Sequence, residues 1–190
     1  MAAVLSSVRA LFAPSDFTID VETPADVVAR EVLLDRVMGT DRHKKASERV
    51  RRGRIPGDGL AVVARTADRQ LIGTVRLWNI EAGVTPRGLP VEALLLGPLA
   101  VDHDHVGKGV GAALLRTSMR AAAIRSHGAI ILVGDGSYYQ RFGFSADRTK
   151  HLLMPGPCER ARLLGFELKA GWLDGAAGMI VASGRKLASP

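Results

Sequence analysis

Leu94-Leu95-Leu96-Gly97-Pro98-Leu99-Ala100-Val101 passes through Asp102-His103-Asp104-His105-Val106 into Gly107-Lys108-Gly109-Val110-Gly111-Ala112. An apolar run of β character thus meets a short polar link, a glycine-rich bend and a helix-forming segment. Glycines carry no Cβ, so the bend can adopt positive φ and bring main-chain N–H groups close to an anion. The helix behind it adds unpaired first-turn amides and the positive end of its dipole at the same place. Lys108 contributes a full charge inside the bend. The order strand, bend, helix predicts a pocket for a pyrophosphate.

On either side of this segment the pattern stays interpretable. Gly97 and Pro98 interrupt the run Ala93 to Val101, and neither suits a strand interior, so the strand is expected to bend or splay there. After the bend, Ala112, Leu115, Met119 and Ala122 share one helical face, Gly128 is read as the stop, and Ala129 to Val133 is a short apolar run of the parallel-sheet kind. Upstream, Leu60 to Arg65 and Leu71 to Trp78 predict an antiparallel hairpin, and Glu81 to Pro90, with two glycines and two prolines, a loop. Phe17, Ile19 and Val21 alternate as a strand. Thr23, Pro24 and Asp26 form a capping arrangement for a helix from about Pro24 to Met38, whose apolar residues are Val27, Val28, Val32, Leu33 and Val37. Downstream, Asp135 caps a brief helix through Tyr138 and Tyr139. Gly143 and Phe144 turn the chain, and Leu163 to Leu168 and Met179 to Ala182 add two more strands.

The 190 residues, 47% hydrophobic and 24% charged, suit one globular domain. We place it at residues 16–186, behind a flexible leader over 1–15 whose apolar run is too short and broken for a signal peptide. With no apolar stretch fit to span a bilayer, a soluble, cytoplasmic protein is expected. The single Cys158 excludes an internal disulfide and a multi-thiolate zinc site, and without a paired His it is read as inert. The formal charge of +7 favours an anionic partner. The densest basic run, Arg42 to Arg54, lacks interleaved aromatics for stacking bases and is read as a solvated helix face and loop rather than a nucleic-acid site.

Other readings of the bend are weaker. Gly107, Gly109 and Ala112 satisfy the dinucleotide pattern G-x-G-x-x-A, with Asp135 placed as a ribose carboxylate. The five-residue link before the bend, and the little chain left for further βαβ units, argue against it. A P-loop requires Ser or Thr after Gly-Lys, where this chain has Gly109. Asp102, His103, Asp104 and His105 lack the spacing of a recognised metal site and are read as a polar surface loop, so no metal is expected.

Two separated motifs together resemble the GCN5-related N-acetyltransferase (GNAT) family, in particular small bacterial members whose strand ends Gly-Pro-Leu-Ala-Val-Asp. Leu99 to Asp102 with Gly107 to Gly111 is similar to the family's coenzyme A pyrophosphate loop, Q/R-x-x-G-x-G/A. Tyr138-Tyr139-Gln140-Arg141-Phe142-Gly143-Phe144 is similar to its F-Y-x-x-x-G-F. The resemblance spans about Asp16 to Arg185. Val106 replaces the usual Gln or Arg, so one side-chain contact is lost while the backbone amides remain. The Asn often found before the tyrosines is absent, and Asp135 or Ser137 is expected to take part of its role.

The resemblance implies an α/β (α+β) fold with a mixed, mostly antiparallel sheet of six to seven strands, splayed at its centre and flanked by helices. It implies acetyl-CoA as cosubstrate and direct acetyl transfer to an amine. Leu99, Ala100 and Val101 would meet the pantetheine arm, and Val106 to Ala112 the pyrophosphate. Tyr139 matches the tyrosine proposed in relatives as general acid; a phenol with pKa near 10 stays protonated at neutral pH. Tyr138 is read as core. Glu92, before the splayed strand, lies where some relatives carry a carboxylate that deprotonates the amine through water. A homodimer is compatible with this reading, and two rivals stand beside it: a catalytically silent coenzyme sensor and, less favoured, a nucleic-acid-binding protein using the basic segment 42–54.

Overall fold

The computed structural model describes residues 16–187, so the leader expected over 1–15 lies outside the described residues. Eight strands form the sheet: β1 (Phe17–Val21), β2 (Ala61–Thr66), β3 (Leu71–Val84), β4 (Pro90–Val101), β5 (Ala129–Val133), β6 (Leu152–Leu153), β7 (Leu163–Glu167) and β8 (Ala177–Ala182). Helices α1 (Val27–Met38), α2 (Ala46–Arg51), α3 (Val110–Ile124) and α4 (Gly136–Tyr139) flank it. The strand order is β1-β2-β3-β4-β5-β7, with β8 beside the far half of β3 and β6 beyond β8. Only β4/β5 and β6/β8 run parallel. The mixed, mostly antiparallel α/β fold is the one expected; the strand beyond seven is the two-residue β6, too short to leave a pattern in the sequence.

Strand alternation divides the core into two layers. Leu94, Leu96, Ile130 and Leu132 face α3 and pack with Val110, Leu114, Leu115 and Ala122. Ala93, Leu95, Ala129 and Ile131 face the other way and pack with Ala46 and Val50 of α2 and with Ile180 of β8. Unbroken apolar runs in β4 and β5 are therefore required, since both faces are covered. No helix among the described residues is long and apolar enough to cross a membrane.

Four local expectations are corrected. The loop read over Glu81 to Pro90 shrinks to 85–89, closed by Thr85 N–H to Leu89 O (2.8 Å). Gly83, taken as a loop glycine, lies within β3 because β8 passes so close that a Cβ would stand 2.1 Å from Ala177 O. Helix α3 ends at Ile124 rather than running to Gly128, with Ser126 taking the left-handed conformation (φ 61°). Gly128 instead makes room for Trp172, whose ring atoms would lie 2.0 Å from an added Cβ.

At the first helix, Thr23 N–H donates to the Asp26 carboxylate (2.8 Å), as the capping pattern predicts, but Pro24–Asp26 is a 3-10 turn leading into α1. Its buried face differs from the one expected: Val28 and Val32 are 76% and 62% exposed, while Leu33, Leu34 and Arg30 are buried. Arg30 turns inward because the Glu22 carboxylate accepts from its Nη1 (2.5 Å). The basic run is a solvated face only in part: His43, Lys44, Lys45, Arg49 and Arg52 are exposed. Arg42 is buried against Asp35 and Glu31, Arg51 against Glu48, and Arg54 donates to Gly184 O.

Candidate active site

The site begins where β4 loses a neighbour. Leu94 to Leu96 pair with Ile130 to Leu132 of β5, but beyond Leu96 only β3 continues, with Leu99, Ala100 and Val101 opposite Val75, Thr74 and Gly73. The register slips at the cis Gly97–Pro98 step, where Gly97 has φ 131°. Trp78 Nε1–H donates to Gly97 O (2.5 Å) and fastens this step from within the core. Asp102 N–H donates to Ile72 O in β3 (2.8 Å). Backbone donors alternate along a strand, so the N–H groups of Leu99 and Val101 point away from β3 into the gap left by β5.

The glycine bend closes one end of that gap. Gly107 and Gly109 have φ of 83° and 82°, and nothing lies within 4 Å of a Cβ built on either. Gly109 precedes α3, and Ala113 is the first residue whose N–H bonds back, to Gly109 O (3.0 Å). The N–H groups of Val110, Gly111 and Ala112 therefore have no helical partner, at the positive end of a fifteen-residue helix. Together these surfaces enclose a pocket of about 500 Å³.

Of the residues expected in the coenzyme site, Leu99, Ala100, Val101, Val106, Gly107, Gly109, Val110, Gly111, Ala112, Asp135 and Tyr139 all line it. Lys108 and Ser137 do not. Lys108 is exposed. Ser137 donates both N–H and Oγ–H to the Asp135 carboxylate, each at 2.9 Å, and its hydroxyl is thereby engaged with the residue that caps α4. Glu92 is carried elsewhere: it is exposed in the half of β4 that β5 still covers, five residues before Gly97 or about 16 Å along an extended strand. Its carbonyl accepts from Trp172 Nε1 (2.7 Å), and its side chain lines none of the pockets that Tyr139 lines.

Four residues outside the expected set also line the pocket, the apolar Val37 of α1 and three that bring polar groups. Tyr138, read as core, lines the pocket, its hydroxyl resting over Gly111, where a Cβ would stand 2.9 Å away. Arg141 also lines it, with its guanidinium 4.2 Å from the Tyr138 ring centroid and 4.9 Å from that of Phe142. Arg141 thus brings a full charge to the pocket wall, and its position inside the aromatic motif was the available signal. His105 lines the pocket too, and its Nδ1 is buried without a hydrogen-bond partner. The link Asp102 to His105 is thus no plain surface loop; Asp102 is 2% exposed, caps a 3-10 turn and pairs with Arg36.

Tyr139 stands at the other end of the splay. Its ring packs edge-on against Tyr138 (4.9 Å) and Phe144 (5.9 Å). It fits there because residue 134 is glycine: a Cβ would be 2.3 Å from Tyr139 Cε2. Its hydroxyl has no hydrogen-bond partner among the described residues. Burial, with a smaller contribution from Tyr138, pushes its pKa up to about 12. The phenol is a donor at every physiological pH and has no internal acceptor.

Comparison with known proteins agrees with this arrangement. The family model described as acetyltransferase (GNAT) domain matches residues 57–146, from the start of the hairpin through the tyrosine motif. The chain is similar to the uncharacterized N-acetyltransferase YhbS of Escherichia coli K12, 26% identical over 165 residues that cover 85% of this chain and 93% of the relative. The crystal structure of E. coli YhbS in complex with CoA superposes with a TM-score of 0.72 at 25% identity, covering 90% of this chain and 92% of that one. A GNAT family acetyltransferase from Brucella melitensis in complex with acetyl-CoA shares the fold, with a TM-score of 0.53 at 22% identity over 80% of this chain and 96% of that one. The splayed β4 and the glycine bend on α3 agree with these likenesses: residues 57–146 match the GNAT acetyltransferase domain, and most of the chain is similar to YhbS.

Proposed function

We propose that the protein transfers the acetyl group of acetyl-CoA directly to the nitrogen of an amine. The observation that carries this reading is the position of Tyr139, a phenol without an internal acceptor at the point where the splayed strand meets the glycine-bend pocket. The residues present suit the coenzyme: open positive-φ glycines and three unpaired amides for the diphosphate, a free strand edge for an amide-bearing arm, and Arg141 for charge. That a 25%-identical full-length relative was crystallised with CoA supports the same choice.

The bound coenzyme supplies an acyl thioester. The N–H groups of Leu99 and Val101 hold its arm as an added strand would be held, and one of them polarises the thioester carbonyl. A neutral amine attacks the carbonyl carbon; the new C–N bond forms, the C–S bond breaks, and the electron pair leaves on sulfur. Tyr139 donates its proton to that sulfur and is reprotonated through solvent by the proton the amine loses. Because Glu92 is exposed and far from the splay, no carboxylate is assigned as base; deprotonation of the amine is left to water in the open cleft.

The test is turnover: purified protein, acetyl-CoA and a panel of amino acids, polyamines, aminoglycosides and peptide N-termini, read by thiol release and by product mass. N-acetylated product with at least one acceptor class is expected. Tight CoA binding with no acetylated product from any amine would instead identify a coenzyme sensor.

A further inference from the structure

A second, narrow cleft of about 90 Å³ adjoins the coenzyme pocket and shares Leu99 and Tyr139 with it. Its other walls include Gly97, Met38, Ser47 and Arg51. A wider cleft of about 520 Å³ shares Lys45, Ser47 and Val133 with the narrow one, so an open approach leads toward Tyr139 from the side away from the glycine bend.

Arg51 is the unusual member. Its side chain is 7% exposed, yet only Nε has a partner, Glu48 Oε2 at 2.6 Å. The two terminal nitrogens have none among the described residues, although they are not sealed off from the cleft. Nη1 is 3.7 Å from where a Cβ on Gly97 would sit, which puts it at the opening of the splay. Burial works against the charge, Glu48 opposes that, and Arg42 and Arg76 add to the burden. Those two arginines have their own carboxylates, Glu31 and Asp35 for Arg42 and Glu22 for Arg76. A buried guanidinium with a bare outer edge is costly unless an anion completes it.

Resting on the acetyltransfer reading above, we propose that the Nη1/Nη2 edge of Arg51 receives a carboxylate of the acceptor, so that the substrates are small amines bearing a carboxylate, as amino acids do. Two parallel N–H donors match the two oxygens of a carboxylate. A monoanion is favoured over a phosphate dianion because the Glu48 carboxylate already stands on the neighbouring edge. The narrow cleft has room for only a few atoms between Arg51 and Tyr139, which places amine and carboxylate close together in the acceptor.

The experiment compares matched acceptors in the thiol-release assay: free amino acids against their C-amides, and O-phosphoethanolamine against both, with wild type and Arg51→Gln. We expect wild type to prefer the acid over its amide by about 10- to 100-fold in kcat/KM, the usual scale for a charge-assisted pair. Arg51→Gln should abolish that preference, and CoA titration reports whether the variant is folded. Equal turnover of acids and amides, preference for the phosphorylated amine, or no turnover of any carboxylate-bearing amine by a wild type that binds CoA overturns the proposal. The wild-type comparison decides even if the variant does not fold. Failure of wild type to bind CoA would overturn the underlying acetyltransfer reading as well.

Discussion

Among single residues, Tyr139 is the one whose chemistry the proposed transfer needs. Its pKa is raised from 10.0 to about 12, first by burial and then by Tyr138, so the proton donor persists through the whole neutral and mildly alkaline range. Removing the hydroxyl with Tyr139→Phe should lower kcat about 10²-fold with little change in CoA affinity, measured by steady-state kinetics beside calorimetry. The wild-type pH profile should show no loss of kcat from phenol ionisation between pH 7 and 10. The same raised pKa means this residue's contribution to stability is complete below pH 10 and disappears as the pH climbs toward 12. Tyr139 was legible because it sits in a motif with fixed spacing. Glu92 misled because the sequence shows that it precedes the splayed strand but not that β4 starts at Pro90, which leaves it a long way from Gly97. His105 and Arg141 were not legible as pocket residues, since a 3-10 turn and stacking on Tyr138 decide where they point.

Among the secondary-structure elements, the strand, bend and helix could be read almost completely, because glycine without a side chain is needed wherever the backbone itself is the ligand. Where the same residue type serves packing, as at Gly83 and Gly128, it was misread, and at Gly134 it passed unread. Gly83, Gly128 and Gly134 admit Ala177, Trp172 and Tyr139 respectively, partners 94 and 44 residues away or lodged in the next turn, and periodicity carries no trace of them. Gly134→Ala tests this reading of the element that holds the phenol. A Cβ there overlaps the Tyr139 ring at 2.3 Å, so kcat should fall roughly tenfold or more while CoA binding is kept, without any change to a reacting group. Wild-type turnover in that variant would mean that the ring position does not matter.

For the whole molecule, internal ion pairs leave the formal charge of +7 intact, but they show that several arginines belong to the interior and are not free for an external anion. Glu22 accepts from Arg30 (2.5 Å) and from Arg76 Nε (2.9 Å), tying α1 to β3, while Arg30 also meets Glu31 and Arg42 bridges Glu31 and Asp35. Such a network could not be read from sequence because its members are up to 54 residues apart and look like ordinary surface charges. Glu22→Ala leaves buried Arg30 with Glu31 alone and half-buried Arg76 without a carboxylate, and should cost about 3 kcal/mol, a fall of roughly 10 °C in Tm by calorimetry; a change of under about 2 °C would show the network to be dispensable. Burial raises the carboxyl pKa values of Asp26 and Glu31, but hydrogen bonds from Arg65 and Thr23 to the first and from Arg30 and Arg42 to the second outweigh it, leaving both below their ordinary 3.8 and 4.5. Their stabilisation is complete above those values and is lost on acidification through the lowered ones, so thermal stability should hold from neutrality to about pH 5 and decline below about pH 4. The most direct test of the central claim is a crystal structure of the protein grown with CoA. It should show the diphosphate on the amides of Gly107 to Ala112 and the sulfur within about 4 Å of the Tyr139 hydroxyl; a diphosphate bound elsewhere, or a thiol arm that avoids the gap between β4 and β5, would contradict it.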